Sequence, residues 1–343
     1  MHKQINRNYI ILARESRGLS QVEFASKLGM SPANLSKIEL GQISIDESYI
    51  QDFCNILNYP VSFFYQEGEI KQSFMNYRKR QIVSPKLLTP IDAKMNVHRL
   101  QFEFLFQELK YKPAELPVLD VEKLGTPQKC AIKLRKLWDI KEGVIGNITK
   151  LIESKGIIIN AFPFGTDRVD SRTILSDTKQ PIIFTNKSLL GDRLRFSLAY
   201  ELGHLVMHLT TVPNLDRDVS HEANLFAAEF LMPATDIRSD FENGVTLSTL
   251  GELKRKWKVS MQALLYRADD LGYLTYNQKR YLLTQFNQMK IRKREPQEFD
   301  VPKEIPSLLS SMIVKYKTKF KADNTYLAEK LNLLLAEFIE IYS

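Results

Sequence analysis

His204 and His208 stand four residues apart in a stretch of helical pattern, so one helical face carries both imidazoles. Such a pair could hold a metal ion together with a carboxylate, and Glu201 and Glu222 are the nearby candidates. His208 follows Leu205, Val206 and Met207, a setting that equally suits a buried, hydrogen-bonded core histidine. A second group of residues points to different chemistry. Gln21, Asn34 and Lys37 are side chains that read base edges: Gln and Asn pair bidentately with adenine, and Lys reaches guanine or phosphate.

The elements that must carry the second group are legible from their punctuation. A helix from about Tyr9 to Arg17 stops at Gly18. Ser20 with Glu23 three residues on forms a capping box for the next helix. Ala25 is small where two helices cross, and Gly29 permits a tight turn. Ser31 then caps a helix with Pro32 at its first position, running through Leu35 and Ile38 to Gly41. Leu28, Leu35 and Ile38 fill a small core and leave Gln21, Ala33, Asn34, Ser36 and Lys37 facing outward. The 23 residues from Leu19 to Gly41 resemble the Xre-type helix-turn-helix of repressors. That resemblance implies a five-helix, lambda-repressor-like domain whose third helix enters the major groove. Gln21, Ser31, Ala33, Asn34, Ser36 and Lys37 would then face the DNA, and Arg14 and Arg17 would flank its backbone. One such unit reads a short half-site, so the expected partner is a two-fold duplex operator bound by a homodimer, joined through apolar surface outside residues 31–41.

The stretch Arg195–His208 resembles the active helix of the ImmA/IrrE family of zinc peptidases, and Glu222–Pro233 resembles that family's second helix. The resemblance spans about residues 126–235 and implies a zincin-like fold. Carried over by position, Glu201 matches the general base, His204 the second zinc ligand and Glu222 the third. The first ligand position holds Tyr200, whose phenol is mostly protonated at neutral pH. Tyr200→His would complete the ligand set. As the sequence stands, four arrangements are open: a cleft without metal or catalysis, a zinc site rebuilt on His204 and His208, one that recruits His221, and one that uses the Tyr200 phenolate. In the first, Glu201 would be protonated or paired to a cation such as Arg193 or Arg195. An Xre head on such a domain also resembles a class of prophage and toxin–antitoxin regulators, which implies a repressor or antitoxin with a toxin or other protein as partner. The alternative is an active zinc metallopeptidase that cleaves a repressor or itself.

The chain has 343 residues, 44% hydrophobic and 26% charged, which suits two or three globular domains. Its net charge is +8, compatible with nucleic acid. Two cysteines, Cys54 and Cys130, exclude a disulfide scaffold and suit a reducing cytosol. No apolar run reaches 18 residues and the start lacks a secretory core, so the expected location is the cytoplasm, with no membrane partner. The fold class read from the pattern is mainly α with a small β-sheet. A helix is expected over Asp46–Leu57 and a polar connector over 66–85, with Tyr77–Arg80 as a basic run. Further helices are expected over Lys86–Leu109, from Thr126 to Trp138, and over Val144–Ser154. Strands are expected at Gly156–Phe162, Thr173–Ser176 and Pro181–Asn186. Helices return over 190–242 and 246–270. A basic, acid-free stretch at 277–294 suits either DNA backbone or solvent. A proline-marked linker spans 296–306, before two closing helices over 307–320 and 324–342. The expected divisions are 1–68 for DNA binding, 69–125 as a helical connector, 126–290 for the peptidase-like domain and 291–343 for a C-terminal helical segment.

Overall fold

The computed structural model describes residues 4–45, 47–71, 83–209 and 216–342. The head begins with α1 (Arg7–Ser16), whose cap Asn6 accepts from the Asn8 N–H. In α2 (Gln21–Lys27) the Ser20–Glu23 capping box is fully formed. Gly29 turns the chain at φ +68°, and Ser31 and Pro32 open α3 (Pro32–Glu39) as their types require. The expected fourth helix is shorter than the sequence suggests. Glu47–Tyr49 forms a 3-10 turn, and α4 (Ile50–Leu57) starts behind a Tyr49 that offers no side-chain cap. A 3-10 segment at Val61–Tyr65 serves as the fifth helix. Tyr9, Ile10, Phe24, Leu35, Phe53, Leu57 and Phe64 form the head's core.

The 24-residue helix α5 (Pro85–Glu108) belongs to two cores at once. Ala93 and Val97 pack into the head. Ile91, Met95, Phe102, Leu105 and Phe106 pack under the sheet. The basic run Tyr77–Arg80 lies outside the described residues. Next come α6 (Val121–Leu124), α7 (Pro127–Leu137) and α8 (Ile148–Ser154). The last begins four residues later than the pattern suggests, because Asn147 caps it and the preceding residues form turns around Gly143 and Gly146.

The three strands are β1 (Ile158–Phe162), β2 (Ser171–Leu175) and β3 (Pro181–Asn186), in the order β1-β3-β2. β1 runs parallel to β3, with Ile158 opposite Ile182, and β2 runs antiparallel, with Ser171 opposite Thr185. β2 thus starts two residues before the apolar signal, at polar positions that cross-strand pairing holds in the ladder. All six residues of β3 are buried. Side chains alternate between faces: Ile157, Ile159 and Ile183 enter one core, and Ile158, Phe162, Ile174, Ile182 and Phe184 the other.

Over the first face lie α9 (Gly191–Met207), α10 (Val219–Leu231), α11 (Ala234–Phe241), α12 (Leu247–Trp257), α13 (Met261–Asp270) and α14 (Tyr276–Gln288). Over the second lie α5, α15 (Leu308–Phe320), α16 (Asn324–Lys330) and α17 (Leu335–Tyr342). The expected single helix over 324–342 is broken because Asn332 takes the left-handed conformation, φ 52°. The proline-marked linker is pinned rather than loose. Glu304 pairs with buried Arg195 and accepts the Thr149 N–H at 2.8 Å. Among the described residues no helix is long and apolar enough to cross a membrane.

His98 sits where α5, the sheet and α17 meet, 7% exposed, between the rings of Phe102 and Phe162. Its Nδ1 lies 3.3 Å from both Gln101 Oε1 and Tyr342 Oη. Burial lowers its pKa from 6.5 to about 4, against the opposing hydrogen bond to Gln101. The folded chain therefore favours the neutral ring, and the unfolded chain binds the extra proton between those values. This contribution, roughly 3 kcal/mol, is present above pH 6.5 and lost as pH falls toward 4. Replacing His98 with Gln should flatten the fall in thermal stability across that window, measured by scanning calorimetry at half-unit steps. An unchanged slope would show that His98 does not couple to folding.

Candidate functional site

In the head, the structure groups most of the expected reading residues. Ser31, Ala33, Asn34 and Lys37 are exposed along the front of α3, and Ser36 is half-buried beside them. The Ser31 hydroxyl is used locally, accepting the Asn34 N–H at 3.2 Å. Gln21 is half-buried, and its amide donates to Glu39 at 2.7 Å. That carboxylate also receives Arg14 Nε at 2.7 Å, which buries Arg14 in the head. Arg14 is therefore not placed to flank a DNA backbone. Arg17 is not free to do so either. It donates to the carbonyls of Leu57 (2.7 Å) and Asn58 (2.8 Å), forms a fork with Glu337 of α17 at 2.8 and 2.9 Å, and lies 4.2 Å over the Tyr59 ring. Two exposed apolar residues of the head, Val22 and Leu40, carry no sequence signal of function, since exposed positions on short helices are set by tertiary packing.

On the other side of the sheet, α9 and α10 approach closely at Gly203, where a Cβ would meet the Phe226 ring at 2.9 Å. This brings the altered motif against the first turn of α10. Tyr200 is buried, and its hydroxyl shares a 2.8 Å hydrogen bond with Ser220. The Tyr200 ring meets His204 edge-on with centroids 4.7 Å apart. His204 Nδ1 and His208 Nδ1 share a 2.9 Å hydrogen bond. A carboxylate only accepts, so His208 Nε2 donates to Glu222 Oε2, at 2.9 Å. Arg217 closes the row, with Nε on Oε1 at 2.8 Å and Nη2 on Oε2 at 2.6 Å. Burial would raise the Glu222 carboxyl, but hydrogen bonds and charge from His208 and Arg217 override it and hold the pKa at about 2, down from 4.5. His208 thus has the satisfied, hydrogen-bonded setting of a buried histidine.

Glu201 lies apart from this row. It is fully buried and accepts from Ser171 at 2.8 Å and Thr173 at 2.6 Å, both on β2. The cations expected for it are engaged elsewhere: Arg193 pairs with Asp170, and Arg195 with Glu304. His221 is exposed in the first turn of α10. Sequence reasoning missed Arg217, whose only signal is a position five residues before Glu222 at the mouth of α10. It also missed Ser171 and Thr173, which reach Glu201 from another element.

The donor set does not fit a zinc ion. Both Glu222 oxygens and His208 Nε2 face a protein partner, and the Tyr200 hydroxyl faces Ser220. A zinc site needs three such groups to aim their lone pairs at one point. Among the described residues, no group of three or more His, Cys, Asp or Glu is arranged to hold a metal ion. The Arg217 guanidinium supplies the charge that the Glu222 carboxylate requires, and the His208 imidazole adds an N–H donor.

Comparison with protein families agrees with both motifs. A helix-turn-helix family model matches residues 10–64, and a peptidase family model, the IrrE N-terminal-like domain, matches residues 152–269. The chain joins a helix-turn-helix unit to an IrrE N-terminal-like domain. No curated protein matches it. Within the IrrE-like domain the matched segment contains the sheet, α9, α10 and most of α13, so the altered row lies inside the part that carries the likeness.

The Arg217 fork adds a requirement that the sequence alone did not show. Tyr200→His should leave Glu222 occupied and the protein without zinc. Tyr200→His with Arg217→Ala should retain about one zinc per chain after dialysis, and adding Glu222→Ala should remove it. Elemental analysis by mass spectrometry reads all three. Stoichiometric zinc in the single Tyr200→His variant would show that Arg217 is no barrier.

Proposed function

We propose that this chain is a sequence-specific transcriptional regulator. It binds a two-fold operator as a homodimer and uses its IrrE-like domain to sense a signal or hold a partner without cutting it. The observation that carries this reading is the contrast between its two motifs. The front of α3 presents Ala33, Asn34 and Lys37 to solvent, as a groove-reading helix must. The row at Glu222 is closed on itself by Arg217 and His208, which argues against a metal-dependent peptidase. A repressor of its own small operon, or an antitoxin whose partner is a toxin, is the setting that suits such a pairing, in the cytoplasm where the operator lies.

We read the chain in four parts: 1–68 for DNA, 69–125 as connector, 126–290 as the peptidase-like domain and 291–343 as a closing segment. Support for coupling between them comes from α5, shared by the cores of the head and the sheet, and from the Arg17–Glu337 pair.

Asn34→Ala with Lys37→Ala removes two contacts, each worth about 1–3 kcal/mol. Affinity for a fragment of the protein's own promoter region should fall roughly 30-fold or more, at fixed salt, while circular dichroism stays unchanged. Sedimentation of the wild-type complex should give two chains per operator. Unchanged affinity in the double variant, or one chain per operator, would refute this reading.

A further inference from the structure

A cleft of about 1460 Å3 opens on the IrrE-like domain between α9, α10 and α13, and none of Tyr200, Glu201, His204 or Glu222 lines it. Its volume exceeds the roughly 300–1,000 Å3 usual for a small-molecule pocket, which suits a segment of polymer. Phe196, Leu225 and Ala263 give it an apolar wall. Several of the charges that line the cleft are already paired within the chain. Lys254 bridges Asp192 and Glu295 at 2.6 and 2.7 Å, Arg193 pairs with Asp170, and Arg267 pairs with Glu229.

The mouth differs. Arg168, Arg292 and Lys293 line it, are exposed, and make no ion pair among the described residues. Of the acids there, Asp167 is exposed, and burial together with the neighbouring Asp269 raises the Asp270 carboxyl against the opposing charges of Arg267, Lys279 and His221, which favours its neutral form. Three unpaired cations above an apolar wall call for an anionic ligand with apolar side chains. Single-stranded nucleic acid depends on aromatic platforms for its bases. The exposed ring at this rim, Tyr266, is already faced by the Lys279 ammonium at 5.1 Å, and beyond it Phe196 is a single ring in a wall otherwise of Leu190, Leu225, Ala228 and Ala263.

We propose that this cleft binds an acidic, aliphatic-rich segment of a partner protein. The proposal rests on reading the IrrE-like domain as a partner-holding module, and it names the chemistry of what is held.

The test uses the full-length protein and a fluorescein-labelled decapeptide of two Glu-Leu-Glu-Ser-Leu repeats. The control peptide has every Glu replaced by Lys, and a ten-nucleotide oligothymidylate serves as competitor. Fluorescence anisotropy should show the acidic peptide binding at least tenfold tighter than the basic one. Arg292→Glu with Lys293→Glu, both at exposed positions, should abolish that preference while circular dichroism stays unchanged. Asn34→Ala with Lys37→Ala should leave peptide binding intact, which separates this proposal from the DNA reading. Equal binding of the two peptides, indifference to the charge reversal, or displacement by oligothymidylate would overturn it. A cut peptide would still report binding in the cleft, and would count against the non-cutting reading alone.

Discussion

A three-stranded sheet whose middle strand has no solvent-facing residue must be covered on both sides, and the rest of this architecture follows from that need. One covering layer is built on α9, which carries the altered peptidase motif. The other is built on α5 and the closing helices, and α5 extends beyond the sheet to complete the core of the DNA-reading head. The two functional regions are thus attached to opposite faces of one small sheet. Arg17, forked onto Glu337, adds a second tie between the head and the layer under the sheet.

Within that frame, ion pairs and hydrogen bonds tie the peptidase-like helix pair together. A half-buried carboxylate needs a positive partner, and the fork of Arg217 satisfies both Glu222 oxygens in one planar contact. His208 secures the same carboxylate from α9, so the ion pair bridges the loop before α10 to the helix beneath it. Glu201, buried and held by two hydroxyls of β2, fastens α9 to the edge of the sheet. Glu201 and Glu222 both hold elements of the fold together, while α3 in the head presents an open face.

Local signals carried the legible part of this structure. Ser20 with Glu23, and Ser31 with Pro32, fix helix starts through contacts three residues long, so the head could be read closely from its chain. Tyr200 in a ligand position was visible as a departure from a pattern. What could not be read were partners set by tertiary packing. Arg17 finds Glu337 across 320 positions, and Glu201 finds Ser171 and Thr173 on a strand about 30 residues away. Arg217 is near Glu222 in sequence, but no periodicity marks it, because its side chain acts from a loop. The break at Asn332 escaped for a similar reason: a left-handed residue costs little at Asn and leaves the apolar pattern on either side intact.

Arg217 and His208 together engage the Glu222 carboxylate on which a zinc ion would depend. The most direct measurement is thermal unfolding of the wild-type protein in three states: as purified, after exhaustive chelation, and with a tenfold excess of zinc. A metal that binds only the folded state stabilises it by RT ln(1 + L/Kd), where L is the free metal concentration. With Glu222 already paired, the three midpoints should agree to within about 1 °C, below the roughly 2–4 °C that 1 kcal/mol of binding would add. A midpoint several degrees higher with zinc, and lost on chelation, would contradict the account.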